Sequence, residues 1–251
     1  MNSLKVFINL NYLLFIYVYK ALGLDTDRVS FTDVYSLDDD LLSIVPTPVY
    51  AVLMLFPISV AYESHREDEE MRLNEIRSTT DPSIIENLES GLVFIKQTIG
   101  NACGTIGLLH ALSNNPEVPI KENSALKDFI KSCKDTKDPI KRAKLLESNL
   151  EISSVHDDLS RSGQSRVPEE NEEVNLHFVC FVKSSVSIKS GSSDSKEDRL
   201  VELDGRKSFP IDHGRLETDL LHGIIPIVKR FIDLSNNNLQ FNLIALSPKI
   251  S

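Results

Sequence analysis

The chain has 251 residues, of which 25% are charged and 41% apolar. That balance belongs to a soluble globular protein and excludes both a disordered polymer and a membrane-embedded one; a length of this order allows one or two domains, and one is expected here, as a monomer. A formal net charge of −10 argues against nonspecific nucleic-acid binding and suits a partner with a basic surface. The three cysteines, Cys103, Cys133 and Cys180, form neither a disulfide framework nor a metal-like spacing. A reducing compartment, the cytoplasm with or without the nucleus, is therefore expected, with no metal and no other cofactor.

In chain order, residues 4–24 are rich in Leu, Ile, Phe, Val and Tyr but are interrupted by Lys5, Asn9, Asn11 and Lys20. A signal peptide would need a basic start and a small-residue cleavage site, and a bilayer span needs about 20 apolar residues, so a packed helix is the expectation and no membrane association. Asp38, Asp39 and Asp40 open a short helix that Val45-Pro46 ends, and residues 49–58 form an apolar run suited to a buried central strand. Residues 62–90 carry many charges and little apolar pattern, as a solvated connection or surface helix does. Their run Glu67-Asp68-Glu69-Glu70 could alternatively attract a basic partner.

The stretch that carries chemistry begins on Leu92-Val93-Phe94-Ile95, turns at Gly100-Asn101, and enters a long apolar helix with Cys103 in its first turn. A helix N-terminus offers unpaired N–H groups and the positive end of the dipole, which favour a thiolate over a thiol. Gly104 and Gly107 are poor helix formers, and their presence beside Cys103 predicts a close approach of backbone or substrate. On its own Cys103 is more readily a buried core thiol than a nucleophile. His110, two turns further along, is expected to be packing.

Helices are expected at residues 124–133 and 139–149, the second with Asp138 as N-cap and proline at its first position. Cys133 lies on a Lys-rich, surface-like helix and reads as structural or incidental. Residues 153–173, with Gly163, Pro168 and many charges, predict a loop. Residues 174–182 predict a strand, 183–198 a flexible hairpin excursion rich in Ser and Lys, and 199–202 the returning strand before a turn at Asp204-Gly205. An amphipathic helix over 218–234 and a strand over 241–246 complete the chain.

Residues 97–110, Gln-Thr-Ile-Gly-Asn-Ala-Cys-Gly-Thr-Ile-Gly-Leu-Leu-His, closely resemble the nucleophile motif of the ubiquitin C-terminal hydrolases, cysteine peptidases that cleave after the last glycine of ubiquitin. Asn175-Leu176-His177-Phe178-Val179 and Glu202-Leu203-Asp204-Gly205-Arg206 resemble, in the same order, the blocks that carry the general base and its acidic partner. The resemblance implies Cys103 as nucleophile, His177 as general acid and base, Asp204 as the group that orients it, and Gln97 as oxyanion donor. It also implies an α/β, papain-like fold of the α+β kind: a mostly antiparallel central sheet flanked by helices, with a knotted backbone. Residues 153–173 would be the crossover loop over the cleft, favouring small or unfolded leaving groups, and 183–198 an insertion at a hairpin tip. Two departures from the pattern stand out, a divergent start over residues 1–29 without the usual extended opening and a longer His-to-Asp interval. With no long extension after the last strand, residues 1–251 read as a single short catalytic domain. Ubiquitin is the expected partner, with another modifier such as Nedd8, or a noncatalytic ubiquitin-binding role, as alternatives.

Overall fold

The computed structural model describes residues 19–80, 82–153, 176–190, 193–235 and 240–250. Most of the apolar segment at 4–24, and all but the first residue of the loop at 153–173, lie outside the described residues. Strands β1 (Val29–Asp33), β2 (Ala51–Pro57), β3 (Leu176–Ser190), β4 (Ser193–Leu203), β5 (Ile211–Arg215) and β6 (Asn242–Pro248) form one sheet in the order β1-β6-β2-β3-β4-β5. Every pairing is antiparallel. The central strand is the apolar run expected at 49–58. All seven residues of β2 are buried, because alternate side chains point to opposite faces and both faces are covered.

The helices are α1 (Asp39–Leu42), α2 (Val60–Thr79), α3 (Pro82–Ser90), α4 (Cys103–Ser113), α5 (Ala125–Lys134), α6 (Pro139–Ser148), α7 (Leu220–Gly223) and α8 (Ile225–Leu234). They divide the core in two. Ala51 and Leu53 of β2, with Cys180 and Val182 of β3, pack against α4, α5 and α6. Val52, Met54 and Phe56, with Val179 and Phe181, pack against α7, α8 and Tyr62 of α2. Helix α4 sits directly on the sheet through Gly107, where an added Cβ would lie 3.3 Å from the Leu53 side chain and 3.7 Å from Phe178. The close approach expected of that glycine is a helix–sheet contact.

Of the two readings of residues 62–90, a solvated connection or a surface helix, the second holds: they form two helices, α2 and α3. Three expectations need correction. The excursion at 183–198 continues the β3–β4 ladder as far as Ser190 opposite Ser193, so the longer His-to-Asp interval is absorbed by extending two paired strands. The single helix over 218–234 is broken at Ile224 into α7 and α8, with a proline in the first turn of α8. Cys133 is fully buried, and burial pushes its thiol up to about 11. Strands β1 and β5 are not expected from the sequence. The helix expected at 124–133 is α5, with Ser124 accepting from Lys127 N–H, and that at 139–149 is α6, with Asp138 as cap.

Residues 92–95 are buried yet belong to no strand, so their backbone groups need other partners. Arg142 of α6 supplies two of them, donating from one guanidinium nitrogen to the carbonyls of Leu92 and Phe94, both at 3.2 Å. Its Nε donates to the carbonyls of Cys133 at 2.9 Å, in the last turn of α5, and Thr136 at 2.8 Å, just beyond that helix. Arg142→Met would strip one donor group from four carbonyls. At about 1–3 kcal/mol for a buried acceptor left unmade, a loss of about 3 kcal/mol or more is expected in urea unfolding, with Arg142→Lys intermediate.

Candidate active site

The segment leading to Cys103 is held by side chains along its length. Ile95 N–H donates to His110 Nε2 at 2.9 Å, and Val93 N–H to Asn114 Oδ1 at 2.7 Å, while Asn114 Nδ2 returns a bond to the Val93 carbonyl at 3.0 Å. An imidazole nitrogen that accepts must be unprotonated, and burial lowers His110 to about 4. His110 is thus packing, as expected, and also a fixed acceptor that ties this segment to α4. At its end, Gln97 N–H donates to the Gly205 carbonyl at 2.8 Å.

Past Gln97 the chain turns at Asn101, whose φ of 56° is left-handed, and enters α4 at Cys103. The half-buried sulfur interacts with the His177 imidazole and with the backbone amides of Phe178 and Gly104. Burial would push the thiol up. The hydrogen bond and charge of His177, then the two backbone amides, outweigh it and leave the thiol below its ordinary value.

His177 stands opposite Phe56 in the β2–β3 ladder, and its ring meets the Phe56 ring edge-on with centroids 5.7 Å apart. Its Nε2 lies 2.7 Å from Asp204 Oδ1, which leaves Nδ1 for the sulfur. Burial opposes the imidazolium, but the charge and hydrogen bond of Asp204, and then Cys103, raise it to about 9. Asp204 follows β4 and has no exposed surface. Its Oδ1 also accepts Arg206 N–H at 2.8 Å, and its Oδ2 accepts the Tyr62 hydroxyl at 3.3 Å. Burial works against its charge, and His177, Lys207 and the Arg206 N–H together hold the carboxyl well below the usual range.

Gln97 is half-buried, with Nε2 donating to the Ile99 carbonyl at 3.2 Å and Oε1 without a hydrogen-bond partner. One of its two amide hydrogens is therefore engaged and the other is available. Gly205 packs against it so closely that an added Cβ would lie 3.0 Å from Gln97 Cβ and 3.1 Å from its backbone nitrogen. The cysteine, imidazole and carboxylate chosen from three distant motifs thus meet, and the fourth residue is bonded to the turn that carries the carboxylate. Sequence reading missed Tyr62, Lys96 and Lys207. The first lies in a stretch read as solvated, and Lys96 and Lys207 look like ordinary surface lysines until their ammonium groups are located. Among the described residues no cluster of three or more His, Cys, Asp or Glu side chains is placed to hold a metal ion, and no helix is long and apolar enough to cross a membrane.

Residues 8–233 match the sequence profile described as ubiquitin carboxyl-terminal hydrolase, family 1. The chain belongs to the ubiquitin carboxyl-terminal hydrolase family. It is 38% identical over 232 residues to ubiquitin carboxyl-terminal hydrolase 3 of Arabidopsis thaliana, a match spanning 91% of this chain and 88% of that one. It is 34% identical to ubiquitin carboxyl-terminal hydrolase isozyme L1 of Monodelphis domestica, over 91% of this chain and 92% of that one. The fold resembles the UCH37 catalytic domain of Trichinella spiralis, solved bound to ubiquitin vinyl methyl ester, with a TM-score of 0.63 at 20% identity, covering 95% of this chain and 93% of that one. A ubiquitin carboxyl-terminal hydrolase is a cysteine peptidase that removes ubiquitin, and that is the activity of this chain.

Two outcomes follow from the geometry. Gly205→Ala should displace Gln97 by a few tenths of an ångström and lower single-turnover hydrolysis by about tenfold to a hundredfold with the fold intact by circular dichroism. His177 is raised from its ordinary value to about 9. Its contribution to stability is then full below pH about 6.5 and is lost as pH rises through about 9. Urea midpoints of the parent should decline over that window, and those of His177→Gln should lack that component.

Proposed function

We propose that Cys103, His177 and Asp204 act as a nucleophile–base–acid relay, with Gln97 as oxyanion donor, on the carbonyl of the C-terminal glycine of ubiquitin. The observation that carries this reading is the continuous chain of contacts from a thiol lowered by His177, through an imidazole raised to about 9, to a fully buried carboxylate 2.7 Å away. Both shifts favour a thiolate–imidazolium pair at neutral pH, the form that attacks.

The Cys103 thiolate adds to the glycine carbonyl carbon, and the oxygen that gains the electron pair is met by the free amide hydrogen of Gln97 and by backbone N–H at the start of α4. His177 then gives its Nδ1 proton to the leaving amine, the carbon–nitrogen bond breaks, and a thioester remains. Water attacks that thioester with His177 taking its proton, the carbon–sulfur bond breaks, and the thiolate is restored. Throughout, Asp204 holds Nε2–H and so keeps the other ring nitrogen facing the sulfur. Ubiquitin as the partner is supported by the relatives' names and by the ubiquitin vinyl methyl ester bound to the solved neighbour. The three free thiols support a reducing compartment, which we infer to be the cytoplasm.

Cys103→Ala should abolish hydrolysis of a ubiquitin C-terminal amide while ubiquitin still binds in a calorimeter; residual turnover at the parent's rate would refute the assignment. Gln97→Ala should cost about 10²–10³ in kcat with little change in KM, as loss of one oxyanion donor does. Paired thiol-reactive probes built on ubiquitin and on Nedd8 would read modifier preference directly, with ubiquitin labelling Cys103 faster.

A further inference from the structure

Helix α2 runs alongside the turn that carries Asp204 and contacts it at five successive places. The Tyr62 hydroxyl donates to Asp204 Oδ2 at 3.3 Å. Glu63 pairs with the Arg206 guanidinium at 2.7 Å, and Glu69 with the Lys207 ammonium at 2.7 Å. Glu70 accepts from the Ser208 hydroxyl, and the Arg77 guanidinium stacks 4.2 Å from the centre of the Phe209 ring. The helix and residues 204–209 thus run in the same direction, and positions 62, 63, 66, 69, 70 and 77 form one face of α2. Only Tyr62 and Glu69 of that helix are buried, so what holds it down is these polar contacts and not an apolar stripe.

We infer that Tyr62 is a positioning residue for the hydrolase reaction: its hydroxyl fixes the second carboxylate oxygen of Asp204 and thereby sets how tightly Asp204 holds the imidazolium of His177. The inference rests on the proposed relay. Tyr62 is anchored for the task from both sides. Its ring packs edge-on against Phe56 at 4.8 Å and lies 5.6 Å from Phe231. Its N–H donates at 3.0 Å to Ser59, the N-cap of α2, whose hydroxyl in turn donates to the Leu234 carbonyl at 2.8 Å. Phe56, the same ring that meets His177, therefore also fixes the angle at which the hydroxyl reaches Asp204. Burial, then the charges of Asp204 and Glu202, keep the phenol protonated, so it acts only as a donor.

The other charged groups facing this pair are Lys207, Arg206, Arg66, Lys96, Glu202 and Glu63, with a neutral His110 behind and Cys103 across the ring. None of them is altered by removing one hydroxyl. A donor on Oδ2 disperses the carboxylate charge and weakens its hold on the imidazolium; without it, Asp204 should hold that proton more tightly and at a less fixed angle. The imidazolium is then a poorer acid toward the leaving amine.

The test is Tyr62→Phe, with Tyr19→Phe as the matched control. Tyr19 is equally buried and donates its hydroxyl to the Thr105 carbonyl at 3.5 Å, away from Asp204. Tyr62→Phe should lower kcat on a ubiquitin amide about five- to tenfold with KM unchanged, and move the alkaline limb of the pH profile upward. A ubiquitin thioester, whose leaving group needs no proton, should be affected less. Tyr19→Phe should change thermal stability without moving the pH profile. Were Tyr62→Phe to melt earlier yet keep the parent's kcat, pH limb and leaving-group dependence, the hydroxyl would be structural and the inference overturned, while the Cys103 relay would stand. Loss of the relay itself would show instead as hydrolysis surviving in Cys103→Ala.

Discussion

A carboxylate with no exposed surface stays ionised only if its neighbours supply what water has been denied, and Asp204 is such a group. Its Oδ1 takes one bond from His177 and one from the Arg206 backbone, and its Oδ2 takes the Tyr62 hydroxyl. The Lys207 ammonium adds a compensating charge. Because the carboxylate is held ionised, the imidazole beside it is held protonated, and because the imidazole is protonated the thiol beyond it gives up its proton more readily. The state of the half-buried Cys103 thiol is in this way decided by a residue that never meets solvent.

Keeping Lys207 buried has its own requirements. Its ammonium lies 2.7 Å from Glu69 and 2.7 Å from Glu202, and Glu202 in turn meets His213 at 2.9 Å. Burial alone would raise the Glu202 carboxyl; Lys207 and His213 reverse that and bring it to about 2. An arrangement of this kind contributes little net stability, since desolvation takes back most of what the charges return. What it does provide is register: an ammonium that must sit between a carboxylate of α2 and one of β4 fixes the loop between Asp204 and Lys207. Lys96 closes the same loop from the other side, donating to the carbonyls of Arg206 at 2.9 Å and Lys207 at 2.7 Å.

What could be read in the sequence and what could not divide along physical lines. The central strand β2, helices α5 and α6 and the strands around His177 announce themselves by apolar runs and by caps at Ser124 and Asp138, which are local signals. The four candidate site residues were legible because their motifs are long. The docking of helix α2 was not, because its contacts with the protein are made by glutamates and an arginine, and the run Glu67-Asp68-Glu69-Glu70 looks solvated although Glu69 is buried against Lys207. Glu67 and Asp68 alone of that run face outward. The break between α7 and α8 escaped notice because Leu220, Leu221, Ile227, Val228 and Phe231 are all buried on the same side of the sheet, so the apolar pattern runs on across Ile224 although the helix does not.

The two halves of the site are joined by a contact between two motifs that neither of them shows alone. The carbonyl of Gly205 accepts from Gln97 N–H at 2.8 Å, and the absence of a side chain at Gly205 lets the two backbones come that close. The segment that ends in Cys103 is fixed to α4 by His110 and Asn114, and to α6 by Arg142. The turn that carries Asp204 is fixed to α2. Each half is hydrogen-bonded to its own surroundings, and the Gln97–Gly205 bond sets one against the other. Gln97 and Asp204 therefore cannot drift independently: any motion that loosens the Asp204 turn also moves Gln97, which ties the two roles proposed for them together.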